Sequence, residues 1–169
     1  MKEISFRDDI LPLKDRLFRL ALRITLNRAD AEDVVQETLI KMWDKREQWH
    51  EMESIEAFAL TICRNLAIDL TARASRSNVT LDEGRDEKPG QSTPYEELDA
   101  RQRLEIVRKL IDGLPETQRT IMELRDVEGK SYREIGQVMK LSEEQVKVYL
   151  FRARQKVKVQ FSKIEGYGL

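Results

Sequence analysis

Two helix starts lie close together near the carboxyl-terminal end of the chain. Ser131 is followed three residues later by Glu134, and Ser142 is followed three residues later by Gln145. A serine hydroxyl at a helix start accepts a hydrogen bond from the backbone N–H three residues on, and a Glu or Gln there returns one to the serine N–H. These two capping boxes predict two helices that begin eleven residues apart.

The connection between the two helices is too short for anything but a tight turn. Only Lys140 and Leu141 separate the end of the first helix from the second cap, and Leu141 can pack against Val146 as a hydrophobic staple. Each helix also has an apolar stripe at helical spacing. The stripe of the first is Ile135, Val138 and Met139, and that of the second is Val146, Leu150, Ala153 and Val157. Together these features predict a helix-turn-helix.

The outer face of the second helix is strongly basic, with no acidic residue from Gln145 to Ile164. A solvated surface could have this composition. However, cations this dense repel one another in the free protein and displace counterions when they meet DNA. The preceding capped helix and turn favour a DNA-binding face. Its residues are Lys147, Val148, Phe151, Arg152, Arg154, Gln155, Lys156 and Lys158.

Composition limits what the remainder of the chain can be. The 169 residues are 40% hydrophobic and 36% charged, with a net charge of −1, so one core or two small cores can form and general DNA packaging is not expected. One cysteine and one histidine, Cys63 and His50, exclude an internal disulfide and a Cys/His zinc set. We therefore expect no metal and no other cofactor. The same residues supply no nucleophile–base pair, so we do not expect an enzyme.

The amino-terminal half is predicted to contain three helices. In the first, apolar residues recur from about Phe6 to Leu26, and Pro12 indicates either a start near Leu11 or a kink. The second is predicted to be capped by Asp30 and to run to about Gln48. Its buried side is predicted to be Val35, Leu39, Met42 and Trp43, and its outward side Asp33, Gln36, Glu37, Ile40, Lys41 and Asp44.

The third helix is predicted to start at a Ser54 cap. Its predicted buried stripe is Ile55, Phe58, Ile62, Leu66 and Leu70, with Cys63 beside it as a small core residue. After this domain, residues 77–93 contain few apolar residues, two glycines, a proline and several acids, which indicates a flexible acidic linker. Such a linker predicts that the two domains sample many separations in the free protein.

The second domain is predicted to contain four helices. One is predicted over 95–112, with Leu104, Val107 and Ile111 on one side, ending before Gly113. The next opens at Pro115 and closes at Gly129, and the helix-turn-helix follows. The predicted fold is therefore all-α, with two small helical domains joined by a flexible acidic linker, the second ending in a helix-turn-helix.

Four stretches of this sequence closely resemble, in order, the bacterial sigma factors of the extracytoplasmic-function (ECF) class. They are DAEDVVQETLIKMW, CRNLAID, LPETQRTIMELRDVEGKSYREIGQVM and VYLFRARQKVK. The resemblance implies that residues 1–76 correspond to sigma region 2, 77–93 to a linker and 94–165 to sigma region 4. It also implies a cytoplasmic factor that binds core RNA polymerase, directs it to promoters and helps to open the duplex.

The resemblance also assigns roles to individual residues. Asp33, Gln36 and Glu37 fall on the helix that binds core polymerase. Trp49 and Asn65 fall where relatives contact the minus-ten element, although Trp49 is equally well explained as a core residue. The residues that fall where relatives contact the minus-thirty-five element in the major groove are Lys147, Val148, Phe151 and Arg152.

The implied partners are core RNA polymerase, promoter DNA and an anti-sigma factor, without direct membrane insertion, since no run approaches the ~20 apolar residues of a membrane span. Two alternatives stay open. One is a helix-turn-helix regulator that binds an operator as a dimer without polymerase. The other is a helical protein-interaction module whose basic helix binds only an acidic protein.

Overall fold

The predicted all-α fold is confirmed. A computed structural model describes residues 3–77 and 100–166, and no strand occurs within those ranges. The predicted linker lies almost entirely outside them. The described α-helices are α1 Lys14–Thr25, α2 Arg28–Asp44, α3 Ile55–Ser77, α4 Ala100–Asp112, α5 Glu116–Met122, α6 Tyr132–Met139 and α7 Glu143–Gly166.

The amino-terminal segment changes helix type at its proline, as the kink alternative predicted. A π-helical turn over Phe6–Ile10 and a 3₁₀ turn over Leu11–Leu13 precede α1. Pro12 lacks the N–H that a continuous α-helix would need, so the regular helix begins only after it. A residue in the left-handed conformation, Leu26 with a φ of 56°, ends α1.

The cap of α2 differs from the prediction. Asn27 is the capping residue, and its side-chain oxygen accepts a hydrogen bond from the Asp30 N–H at 2.9 Å. Asp30 is therefore the third residue of the helix rather than its cap. Both residue types cap helices well, and the sequence pattern does not choose between caps three residues apart.

The first three helices enclose an apolar core that includes Leu17, Leu20, Met42 and Leu60. The predicted α3 stripe is only half-buried, because α3 packs against α1 and α2 on one side and against α6 on another. Its most buried side chains are Ala59, Leu60, Cys63 and Ala67.

Cys63 is a core residue, as predicted. Its side chain is fully buried, and its thiol donates to the Leu17 carbonyl oxygen at 3.4 Å. Burial raises the pKa of the Cys63 thiol to about 12. The neutral thiol that results is a poor nucleophile, because the reactive species is the thiolate.

Several helix boundaries of the second unit lie where the sequence predicts them, whereas the predicted start of its first helix, at residue 95, lies outside the described residues. Helix α4 ends before Gly113, Pro115 is the residue before α5, and a π-helical turn over Glu123–Val127 leads to Gly129 at a φ of 70°. Leu104 lies on α4 at helical spacing from Val107 and Ile111, as predicted, and its side chain is 52% exposed.

The helix-turn-helix forms as predicted, and both capping boxes are present. The Ser131 hydroxyl accepts from the Glu134 N–H at 3.1 Å, and the Ser142 hydroxyl accepts from the Gln145 N–H at the same distance. The return bond from the Ser131 N–H is the main cause of the lowered pKa of Glu134. Both predicted apolar stripes are buried. Helix α7 continues to Gly166 and is therefore not a short helix.

The turn between α6 and α7 requires a glycine. A Cβ placed on Gly136 would lie 2.6 Å from the Leu141 carbonyl oxygen, closer than real Cβ atoms approach backbone. Lys140 lies between them in the left-handed region, with a φ of 59°. The absence of a side chain at Gly136 therefore allows the turn to fold back against α6.

The two units pack against each other, which differs from the expectation of freely separating domains. Helices α1 and α3 of the first unit contact α5, α6 and the Glu123–Val127 turn of the second. Several ion pairs cross this boundary, including that between Arg19 and Glu128. The sequence offered no local signal for these contacts, because their partners lie about 50 to 110 positions apart.

Candidate nucleic-acid and polymerase interfaces

The four residues predicted to contact the minus-thirty-five element lie together on the exposed face of α7. Phe151 is 66% exposed and Val148 is 46% exposed, and both cations beside them are exposed. Their spacing of three and four residues places the side chains on one side of the helix. An exposed phenylalanine on an otherwise basic face is costly as a surface residue and suits an apolar contact with a partner.

The cations on α7 differ in how freely they can reach a ligand. Arg154 pairs with Asp126, and this hydrogen bond is the main cause of the raised pKa of Arg154. The Lys147 Nζ lies 5.6 Å from the centre of the Tyr132 ring, whose face Arg125 also approaches. Among the described residues neither Lys147 nor Arg152 forms an ion pair. These two cations are therefore available to an anionic partner.

A shallow open groove follows the same face toward the carboxyl-terminal end of α7. Its volume is about 410 Å³, and it combines apolar, amide and basic side chains. The residues that line it are Phe151, Arg152, Gln155, Lys156, Val159, Gln160 and Lys163. The chemistry of the lining suits a ligand that offers both a negative charge and an apolar surface.

The predicted polymerase-binding face of α2 is exposed. Asp33, Gln36 and Glu37 all project into solvent along one side of the helix. Ile40 lies on the same side and is 59% exposed, in agreement with the prediction that it faces outward. An apolar side chain flanked by acids and amides forms a surface of the kind that anchors protein interfaces.

Trp43 is a surface residue that the sequence prediction placed in the core. It is 47% exposed and is covered in part by Arg46, whose guanidinium carbon lies 4.3 Å from the ring centre. Met42, which was predicted on the same buried side, is fully buried. Trp43 lies three residues after Ile40, and this spacing was the sign in the sequence that both side chains could lie on the exposed face.

Trp49, for which the sequence left open a minus-ten contact or a core position, lies in the core. The side chain is only 6% exposed, and its indole N–H donates to the Met42 carbonyl oxygen at 3.1 Å. Its ring also packs edge-on against Trp43. Trp49 therefore fixes the 3₁₀ turn Arg46–Glu51 to the end of α2. This agrees with the alternative prediction that Trp49 is a core residue.

Asn65, the other residue predicted to contact the minus-ten element, is exposed on α3. The structure does not bring it together with Trp49. The loop before α3 is also exposed, and its Glu53 carboxylate accepts from Arg133 at 2.9 Å and Gln137 at 3.4 Å. The first helix of the helix-turn-helix thus reaches the loop that precedes α3.

Within residues 3–77 and 100–166, no group of three or more His, Cys, Asp or Glu side chains could hold a metal ion. No helix in these ranges is both long enough and apolar enough to cross a membrane.

Two family models match this chain, one on each unit. The model described as sigma-70 region 2 matches residues 10–77, and the model described as sigma-70 region 4 matches residues 104–157. The first match covers α1 to α3, and the second covers most of α4 together with the helix-turn-helix.

Curated relatives show the same family along most of the chain. ECF RNA polymerase sigma factor SigE of Mycolicibacterium smegmatis is 32% identical over 146 residues, which are 85% of this chain and 56% of the relative. SigL of Mycobacterium tuberculosis, also an ECF sigma factor, is 33% identical over 138 residues, which are 81% of this chain and 77% of the relative. This chain therefore spans little more than half of SigE but about three quarters of SigL.

Two solved structures share this fold. The sigma factor RpoE from Bartonella quintana, in complex with the anti-sigma factor NepR, superposes with a TM-score of 0.72 and 25% identity, covering 95% of this chain and 98% of that one. CnrH, in complex with the cytosolic domain of CnrY, shows the same fold at a TM-score of 0.68 and 22% identity, covering 94% of this chain and 88% of that one. The chain belongs to the ECF class of RNA polymerase sigma factors, the family that directs RNA polymerase to promoters for transcription initiation.

Proposed function

We propose that residues 1–76 bind core polymerase and the minus-ten element, and that residues 94–165 read the minus-thirty-five element. In this division 77–93 is the linker. The exposed face of α7 carries the proposal, because it presents unpaired cations and an exposed aromatic ring on the second helix of a helix-turn-helix. Such a helix fits the major groove of B-DNA.

The α7 face would read DNA through two kinds of contact. Lys147 and Arg152 can donate to guanine O6 and N7, and Val148 and Phe151 can contact a thymine methyl group. Since Arg154 is held by Asp126, its role would be to brace α7 against the preceding turn. Lys156 and Lys158, farther along the helix, would add phosphate contacts without sequence preference.

The exposed side of α2 would bind core polymerase. Asp33, Gln36 and Glu37 supply charge and hydrogen-bond acceptors that complement a basic partner. Ile40 and Trp43 add exposed apolar area to this surface, and contact of that area with water is unfavourable. The apolar pair would contribute affinity, and the acids would set orientation and association rate.

Asn65 would contact the minus-ten element from the exposed side of α3. Its amide can both donate to and accept from a base edge. Trp49 would act indirectly, since its buried hydrogen bond to Met42 holds the turn that leads to the loop before α3.

The same proposal covers partners and location. The two solved relatives are held by an anti-sigma factor and by the cytosolic domain of a second protein, and we infer that this chain too is controlled by an anti-sigma factor in the cytoplasm. The chain would contribute promoter recognition, and catalysis of RNA synthesis would remain with the core enzyme.

Reconstitution with purified core polymerase tests the proposal. Promoters selected from a random library by the reconstituted complex should share two elements, and run-off transcription from them should require this chain. An operator-binding regulator would instead select a two-fold symmetric site without polymerase. A protein-interaction module would select no DNA sequence. Either result would overturn the proposed function.

A further inference from the structure

Lys147, a cation on the exposed face of α7, lies over an aromatic ring of the preceding helix. The Lys147 Nζ is 5.6 Å from the centre of the Tyr132 ring. Tyr132 is the first residue of α6, and its side chain is half-buried against the core. The face of an aromatic ring is electron-rich and attracts a cation. The first helix of the helix-turn-helix therefore holds a side chain that belongs to the DNA-facing side of the second.

The Tyr132 ring is itself held in place by an arginine. The guanidinium carbon of Arg125 lies 4.6 Å from the centre of the ring, and the Arg125 Nη1 donates to the Lys130 carbonyl oxygen at 2.8 Å. Arg125 is half-buried on the turn that follows α5. Because the hydrogen bond fixes the guanidinium and the guanidinium attracts the ring, the ring has little freedom to turn away. Tyr132 is therefore a fixed surface for Lys147.

Two carboxylates on α7 compete with the ring for Lys147. Glu143 and Glu144 lie four and three residues before it, at the spacings that bring side chains together on an α-helix. A glutamate four residues before a lysine is also the order that favours an ion pair. Both glutamates are exposed. Among the described residues Lys147 nevertheless has no ion-pair partner, and it lies over the Tyr132 ring instead. The ring thus prevails over two nearby acids.

A ring and a carboxylate affect the charge of a lysine differently. A carboxylate offsets the positive charge and must be displaced before the ammonium can donate to DNA, as for Arg154, which Asp126 holds on the same helix. A ring has no net charge, and a cation–π contact at an exposed site is weak enough to be exchanged for a base edge. It also orders the long side chain before binding, which lowers the entropic cost of the DNA contact.

We propose that Tyr132 is a positioning residue for promoter recognition, whose ring holds Lys147 away from the carboxylates of α7 and free to donate to a base of the minus-thirty-five element. Tyr132 acts through Lys147 and not through a DNA contact of its own. The use of Lys147 in base recognition rests on the proposed function, whereas its position over the ring does not. Arg152, the other proposed base-reading cation, contacts no ring among the described residues, so Tyr132 should affect only one of the two base contacts.

Nuclear magnetic resonance of the full chain tests the contact. Protons held over a ring face are shifted upfield by the ring current, so the Lys147 methylene protons next to the ammonium should resonate upfield of those of exposed Lys158. Tyr132→Leu should abolish the shift, and Tyr132→Phe, which removes only the hydroxyl group, should keep it. Tyr149→Leu removes another half-buried tyrosine ring and should leave the shift unchanged. Lys147 protons without an upfield shift in wild type would overturn the positioning, and this measurement requires no variant to fold.

Base discrimination by the complex with core polymerase tests the role in recognition. The probes are a promoter selected by the wild-type complex and its single-base variants across the upstream element, and discrimination is the ratio of their run-off transcription. Lys147→Ala and Arg152→Ala first identify the base pair that each side chain reads. Tyr132→Leu should then lower discrimination about two- to fivefold at the Lys147 base pair, as expected for loss of an exposed cation–π contact, and should leave the Arg152 base pair unchanged. Tyr132→Phe should retain both.

Double variants separate positioning from a direct DNA contact. In the Lys147→Ala background, Tyr132→Leu should have no further effect on discrimination, because a positioning residue acts only through the side chain that it positions. In the Tyr132→Leu background, E143Q/E144Q should restore discrimination, and failure to do so would overturn the competition with the carboxylates.

Three results distinguish the remaining explanations. Equal losses with Tyr132→Phe and Tyr132→Leu would show that the hydroxyl group contacts DNA, and would overturn the positioning role. An equal loss at the Arg152 base pair would show a general loosening of the helix-turn-helix and would overturn it as well. If Lys147→Ala changes no base preference, the proposed function of Lys147 is overturned, whereas its position over the ring still stands on the upfield shift.

Discussion

Glu123 makes the stability of this protein depend on pH near neutrality. Its carboxyl group lies on the turn after α5 and is 5% exposed. Burial raises the pKa of Glu123 from its ordinary value of 4.5 to about 7, and the nearby Glu128 adds to the increase, while Arg23 and Arg19 oppose it. At neutral pH this group is therefore partly protonated, whereas an exposed glutamate would have lost its proton.

The sign of the effect follows from proton linkage. Below about pH 4.5 the carboxyl group is protonated in both the folded and the unfolded chain, and its favourable contribution is fully present. As pH rises from about 4.5 to about 7, only the folded chain keeps the proton, so the free energy of unfolding falls. The separation of the two pKa values corresponds to about 3 kcal/mol, because one pKa unit corresponds to 1.36 kcal/mol.

Glu123→Gln replaces the carboxyl group by a neutral isostere that does not titrate. We expect the variant to match wild type near pH 4 and to exceed its free energy of unfolding by up to about 3 kcal/mol at pH 8. Urea denaturation followed by circular dichroism at several pH values measures this difference. Glu165→Gln, at a 45%-exposed side chain, is the control and should give no pH-dependent difference. A variant that is less stable than wild type at pH 8 would refute the reasoning.

Three further predictions concern the interfaces and the turn. Lys147→Ala and Arg152→Ala should each weaken promoter recognition by about 1–3 kcal/mol if the side chain contacts a base edge, measured by transcription on promoters changed only in the upstream element. Charge reversal at Asp33 and Glu37 should lower affinity for core polymerase in a pull-down while circular dichroism stays unchanged, because both side chains are exposed. Gly136→Ala should destabilise the protein by about 1–3 kcal/mol in urea denaturation, because its Cβ would overlap a backbone carbonyl.

Each of these predictions has a control or a contradicting result. Arg108→Ala removes an exposed cation from α4 and should leave promoter recognition unchanged. If Lys147→Ala and Arg152→Ala weaken binding equally on all sequences, they contact phosphates and not bases. Loss of helix after charge reversal on α2 would show that this face has a structural role. An unchanged midpoint of urea denaturation for Gly136→Ala would show that the turn has room for a methyl group.

Local features of this fold were predictable because their causes are local. The capping boxes at Ser131 and Ser142 each involve residues three apart, and the stop at Gly129 requires only a positive φ. The stripe of α7 follows from helical periodicity alone. The residues of α7 that lie outside this stripe form its exposed face, so the candidate DNA interface was predictable as well.

The errors occur where packing between elements, rather than helical spacing, decides which side chain is buried. Trp43 and Trp49 lie six residues apart and both suit a core, and only the packing around Met42 decides that Trp49 is buried. The predicted α3 stripe is only half-buried, because α3 contacts α6 of the second unit as well as α1 and α2. The contacts of Arg119 with the end of α1 join residues about 95 positions apart, which no helical period can predict.

A salt-titrated DNA-binding measurement with and without core polymerase tests the central claim most directly. The isolated chain should bind promoter duplex weakly and with little sequence preference at physiological salt, because its two units pack against each other and are not held at the spacing of the two elements. The complex with core polymerase should bind the same promoter specifically and open the start region. Tight, specific and dimeric binding by the isolated chain would contradict the account and would favour an operator-binding regulator.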